Sequence, residues 1–127
     1  MLRGVVRNGT ASRIVSTFKL NNEIGGKTGT TQNQSDGWFV GVTPDLIGAV
    51  WVGGDEPSIH FDDIGEGGGS AMALPIFGKF MQKVYADKKL NITQAPFERP
   101  ANFNVDFNCS MRDAEEAAQR EYLKDPF

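Results

Sequence analysis

The spacing of apolar positions changes several times along the chain. Ile14, Val15 and Phe18 recur at near-helical spacing after Gly9-Thr10, which offers a cap, so a helix is expected ahead of the first strand. Between Glu23 and Gly53 the pattern turns to Thr, Val, Ile, Trp and Phe, concentrated around two turn signals. The first is Asn33-Gln34-Ser35-Asp36-Gly37, where Asp-Gly supplies a residue that tolerates positive φ. The second is Thr43-Pro44-Asp45, where Pro44 presets the first turn angle. Strands are predicted roughly over Ile24–Thr31, Trp38–Val42 and Ile47–Gly53, and loops this short force neighbours to run antiparallel. Farther on, Ser70 offers an N-cap, and Ala73, Phe77, Phe80/Met81 and Val84 form one apolar stripe of a helix, with Pro75 confined to its first turns. Pro96 and Pro100 break regular structure, Phe103, Val105 and Phe107 alternate as an extended segment would, and Ser110 with Asp113 opens a charged helix through Lys124. The fold class is α+β, an antiparallel three-stranded meander packed by flanking helices.

Composition narrows what this scaffold can do. The 127 residues leave room for one domain. The 13 Lys and Arg against 16 Asp and Glu, scattered and with a net charge of -3, argue against a nucleic-acid partner. Charge divides unevenly: residues 1–54 carry +2, residues 55–69 carry -5, and residues 70–127 balance to zero. The acidic stretch, ending in Gly67-Gly68-Gly69, reads as a solvated loop. The longest apolar runs, Leu46 to Val52 and Ala71 to Phe77, fall far short of the ~20 residues a spanning helix needs. Met1 to Arg13 lacks the apolar core of a signal peptide. Cys109, the one cysteine, excludes an internal disulfide and has no suitably spaced histidine to make it a nucleophile.

The stretch Gly25-Gly26-Lys27-Thr28-Gly29-Thr30-Thr31 holds the candidate chemistry. It is not a phosphate-binding P-loop, because that motif needs glycine where Asn21 stands, and a helix where Gly29-Thr30-Thr31 follows. Two readings remain on these residues. Glycines around Lys27 let a peptide backbone approach and pair as an added strand, while Lys27 brings a positive charge and Thr28 and Thr30, two apart on one face, offer hydroxyls to a carboxylate. Alternatively the segment is a glycine-rich edge strand whose lysine guards against aggregation. His60 lies near Asp62 and Asp63 without any zinc or calcium spacing, so neither a metal nor another cofactor is expected.

Taken with Asp36-Gly37-Trp38-Phe39-Val40-Gly41, Thr43-Pro44-Asp45-Leu46 and Val50-Trp51-Val52-Gly53, the Lys27-Thr28-Gly29 strand resembles the C-terminal part of the transpeptidase domain of class A penicillin-binding proteins. Met1 to Val6 with Gly9-Thr10, and Ala73 to Phe80, are similar to the family's flanking helices. The resemblance runs from Met1 to Tyr85. It implies a partial β-lactamase-like fold in which residues 1–90 form the C-terminal lobe, and residues 91–127 form an extension of no recognisable kind. It also implies that Lys27 belongs to a proton-shuttling network, that Thr28, Gly29 and Thr30 bind the terminal carboxylate of a D-Ala-D-Ala stem peptide or a β-lactam, and that the Thr30 backbone N–H donates to an oxyanion. Trp38, Phe39 and Trp51 are expected in the core of the sheet. The family's S-x-N is absent, and its S-x-x-K occurs only as Ser16-Thr17-Phe18-Lys19, too close to Lys27 in sequence to serve as nucleophile. The expectation is therefore a lobe inactive alone, from a parent anchored in the bacterial cytoplasmic membrane and facing the cell wall. A lobe of this kind has exposed sheet edges that favour homo-oligomers, and the alternative is a non-catalytic peptide-binding module.

Overall fold

A computed structural model describes residues 1–102. Three strands, β1 (Gly25–Thr30), β2 (Asp36–Val42) and β3 (Ile47–Gly53), form one antiparallel sheet in the order β1-β2-β3, the meander expected from the two turn signals. Helices α1 (Leu2–Asn8) and α2 (Arg13–Ser16) precede the sheet, and α3 (Ile64–Gly67) and α4 (Ala73–Ala86) follow it. The segments Phe103 to Phe107 and Ser110 to Lys124 lie outside the described residues.

Register decides what each face of the sheet carries. Lys27 pairs with Val40 and Val40 with Ala49, and Gly29, Trp38 and Trp51 align in the same way, so these residues share one face. Thr28, Phe39 and Val50, then Thr30, Gly37 and Val52, then Gly26, Gly41 and Gly48, share the other. Helix α4 covers this second face. Its Phe77 is buried against Phe39, with ring centroids 5.0 Å apart and planes at 61°, and seats its ring over Gly41 and Gly48. An edge-to-face pair of this kind adds to the area it buries. Val6 and Ile14 from the first two helices, Phe18 just beyond α2, and Leu74, Met81 and Val84 from α4 complete the core.

Several local expectations need correction. Gly9-Thr10 does not cap the helix expected over Ile14 to Phe18, which forms only as the short α2 with Ser12 at its N-cap position; it follows the end of α1, where the Ala11 amide bonds back to Val5 O at 3.0 Å. Ser70 is not the cap of α4, because the Gly68 and Gly69 carbonyls already accept helix-like bonds from Met72, Ala73 and Leu74. In the first hairpin the positive-φ residues are Asn33 and Gln34, and Gly37 is a strand residue. There the backbone reverses through one 3-10 turn, held by Asp36 N donating to Thr31 Oγ1 at 2.9 Å. Trp38 and Trp51 lie on the uncovered face, 44% and 48% exposed, while Phe39 is fully buried as expected. Strand alternation puts the two tryptophans on the opposite side from Phe39, where the described chain has no second layer. The acidic stretch is exposed, yet Gly67, Gly68 and Gly69 are buried, Gly69 against the strand backbone of Gly29 and Trp38, after Asp63 caps α3 through the Gly65 and Glu66 amides.

Beyond α4 the chain returns along the body. Asp45 accepts from both the hydroxyl and the amide of Thr93, each at 2.7 Å, and Glu23 pairs with Arg3 and accepts from Phe97 N. The Thr93 hydroxyl, followed by its amide, holds the Asp45 carboxyl below its ordinary value of 3.8. A depressed folded-state value means that this contact supports the fold above the unfolded value and is lost as pH falls through the folded one. The exchange protection of the Thr93 amide is accordingly expected to drop on acidification below 3.8, and at neutral pH in Asp45→Ala. Protection that survives both changes would refute the clasp.

Candidate functional site

Strand β1 is the edge of the sheet, and the candidate residues lie along it. In the hairpin, Thr31 N donates to Asp36 O at 3.1 Å, which makes Thr31 and Asp36 a hydrogen-bonded pair. Antiparallel pairing alternates, so Gly29 and Lys27 also point their backbone groups at β2, and Thr28 and Thr30 point theirs away from it. The Thr30 N–H and Thr28 C=O therefore project from the edge, where an extended peptide could pair with them. The Lys27 side chain starts on the face of Trp38 and Val40 and folds back, its Nζ donating to Thr28 O at 2.6 Å. That brings the ammonium to the same edge.

The two hydroxyls lie on the opposite face from Lys27, as the alternation of Thr28 and Thr30 requires. Thr28 Oγ1 is 2.8 Å from Thr10 Oγ1, and Thr30 Oγ1 accepts from Gly69 N at 3.1 Å. Sequence reasoning missed Thr10 and Gly69 as parts of this site. Thr10 was legible only as a helix cap and Gly69 only as loop glycine, because both reach β1 through tertiary packing. Gly29 lies flat under Gly69, and a Cβ on Gly69 would run into the carbonyl oxygens of Gly29 and Trp38. Arrayed along one edge, an ammonium, two hydroxyls and a free amide can hold a carboxylate and donate to a developing oxyanion.

The serine of the S-x-x-K match stands elsewhere. It closes the four-residue α2, which packs beside α4 through Phe18, seated on Gly78 with its carbonyl accepting from Gln82 at 2.9 Å. Lys19 is beyond the helix, at φ 58°, so the pair lacks the i, i+3 geometry of a helical nucleophile motif. Ser16 thus belongs to the α4 side of the sheet, whereas Lys27 starts on the other. His60 is exposed, its Nδ1 3.0 Å from Phe61 O, and among the described residues no group of three or more His, Cys, Asp or Glu could hold a metal ion. Cys109 lies outside the described residues. A cleft of about 290 Å³, lined by Arg3, Arg7, Asn22 and Glu23 among others, opens beside α1 and away from Lys27.

No family model matches the chain. Among curated proteins it is similar to penicillin-binding protein 1A of Rickettsia bellii, 43% identical over 89 residues that make up 69% of this chain and 10% of the relative. It is also similar to penicillin-binding protein 1A of Pseudomonas aeruginosa, 37% identical over 98 residues covering 76% and 11%, and to that of Rickettsia conorii, 39% identical over 105 residues covering 82% and 12%. A crystal structure of penicillin-binding protein 1A from Haemophilus influenzae superposes with a TM-score of 0.58 at 26% identity, over 79% of this chain and 14% of that one. The chain spans about a tenth of the length of the curated relatives it matches. Sequence and fold agree on one conclusion: the chain is a segment of the transpeptidase domain of class A penicillin-binding proteins.

Proposed function

We propose that residues 1–90 supply one wall of a peptidoglycan D,D-transpeptidase site, the wall that binds the donor peptide's carboxylate and part of its oxyanion, and that residues 91–127 are an extension outside it. The observation that carries this reading is the edge of β1, where the Lys27 ammonium, the hydroxyls of Thr28 and Thr30 and the outward Thr30 N–H stand within four residues. In the reaction, a serine from the rest of the protein attacks the penultimate D-Ala carbonyl carbon. Charge gathers on that carbonyl oxygen, where Thr30 N–H donates, and terminal D-Ala leaves with a proton relayed through the network that includes Lys27. Thr28 and Thr30 hold the terminal carboxylate, and a β-lactam carboxylate would occupy the same place. The nucleophile is not on this lobe, so the covalent pathway is closed to the isolated chain. The parent protein is anchored in the cytoplasmic membrane with this domain outside it, and among the described residues no helix is long and apolar enough to cross a membrane.

A chimera tests this. With residues 1–90 replacing the matching stretch of the Pseudomonas aeruginosa relative, labelling by a fluorescent β-lactam is expected to persist, and Lys27→Ala in that chimera to slow acylation about 10²–10⁴-fold. Full-rate acylation in Lys27→Ala would refute the assignment.

The uncovered face of the sheet carries Trp38, Val40, Ile47 and Trp51, all exposed. In the parent this face packs on the remainder of the domain. Alone, the chain is expected to hide it and its unpaired strand edges in a dimer or larger assembly. Light scattering showing a monomer at high concentration would contradict that expectation.

A further inference from the structure

We propose that Thr10 is a positioning residue that fixes the direction of the Thr28 hydroxyl, working in parallel with the backbone N–H of Gly69 on Thr30. The proposal rests on the reading above, in which a ligand carboxylate meets Thr28 and Thr30. A threonine hydroxyl has one proton and two lone pairs, whereas a carboxylate accepts and cannot donate. Each hydroxyl therefore serves the ligand only if its proton is not already given to the protein.

At Thr30 the matter is settled by the partner. Gly69 N–H can only donate, so Thr30 Oγ1 accepts there and keeps its own proton for the ligand. At Thr28 the partner is the Thr10 hydroxyl at 2.8 Å, which can act in either direction. Thr10 Oγ1 has no other hydrogen bond among the described residues, so its one proton is available to Thr28. With Thr10 donating, Thr28 points its proton outward, and the two hydroxyls of β1 present two donors to one anion. With the direction reversed, the Thr28 proton is spent. A carboxylate at the edge selects the first arrangement, since hydrogen bonds to a charged acceptor are the stronger ones.

The backbone holds Thr10 in place for this. It sits in the turn between α1 and α2, closed by Ala11 N to Val5 O at 3.0 Å and Ser12 N to Gly9 O at 3.1 Å. A Cβ at Gly9 would stand 2.8 Å from Val5 Cα, so the tight approach depends on glycine there. The pair Gly9-Thr10 thus acts as a fixed arm that delivers one hydroxyl to the candidate strand, eighteen residues later in sequence.

The test uses the full chain, isotopically labelled, and two readouts. The first is the χ1 rotamer of Thr28 from three-bond couplings without ligand. A single rotamer is expected in the wild type and in Thr10→Ser, and averaging in Thr10→Val, with the remaining amide spectrum unchanged. A single Thr28 rotamer in Thr10→Val overturns the proposal, and Thr10→Ala replaces the valine variant if that does not fold. The second readout is titration with an acetylated D-Ala-D-Ala peptide, as the free acid and as the C-terminal amide. Wild type and Thr10→Ser are expected to prefer the acid, and Thr10→Val to lose about tenfold for the acid alone. Equal weakening of acid and amide, or no change in either, overturns the role of Thr10. A wild type that binds neither peptide contradicts the carboxylate reading itself, and the rotamer readout then still decides whether Thr10 directs Thr28.

Discussion

Truncating Phe77 to alanine is expected to destabilise the fold by about 3–5 kcal/mol, the usual cost of removing a buried phenylalanine. The ring is 1% exposed and meets Phe39 edge to face. Beneath it run Gly26, Gly41 and Gly48, aligned across the three strands, and Gly41 and Gly48 lie directly against the ring. The glycines beneath the ring have no side chains that could move into the void, so little of the cavity can relax away from that side. Small domains have about 5–15 kcal/mol in hand, so this loss is a large share of the total. Urea unfolding followed by tryptophan fluorescence reads it, since Trp38 and Trp51 lie on the same sheet. Phe77→Leu should lose less. A loss below about 1 kcal/mol in the alanine variant would mean that α4 does not anchor the sheet through this ring.

Gly69→Ala is expected to cost about 1–3 kcal/mol, through overpacking rather than through an unfavourable backbone angle. Among the described residues no glycine has positive φ, so alanine could adopt the Gly69 backbone without strain. What it lacks is room, because its Cβ would collide with the carbonyl oxygens of Gly29 and Trp38, and backbone atoms of paired strands cannot turn aside as a side chain can. The loop must lift, and the bond from Gly69 N to Thr30 Oγ1 is lost with it. Two changes should therefore come together: a lower melting temperature, and faster exchange of the Gly69 amide. Gly4→Ala is the control, since nothing lies within 4 Å of a Cβ there. Equal effects of Gly69→Ala and Gly4→Ala would contradict the close approach.

The strands were legible because two short turn signals fixed both their number and their direction. Phe39 was legible as core because a large apolar side chain in a strand needs a covered face. Trp38 and Trp51 misled for the same reason, since the pattern shows that a face is apolar and not whether another layer covers it. Lys27, Thr28 and Thr30 stand out as candidates from the residues alone, and strand alternation is enough to place the two hydroxyls on one face. Thr10 and Gly69 could not be found in that way. Their contacts with β1 depend on how a turn between helices and a glycine loop fold back onto the strand, and no period in the sequence records that. Ser16 is the reverse case, a motif in sequence that the four-residue length of α2 and the left-handed Lys19 take apart.

In the proposed function this lobe carries the Lys-Thr-Gly wall of an acyltransferase site and no nucleophile. Intact-mass measurement of the purified chain after incubation with a reactive β-lactam tests it most directly. The unmodified mass is expected, apart from the substitution itself the same outcome as for Ser16→Ala treated in the same way. A stoichiometric acyl adduct that maps to Ser16 and disappears in Ser16→Ala would contradict it.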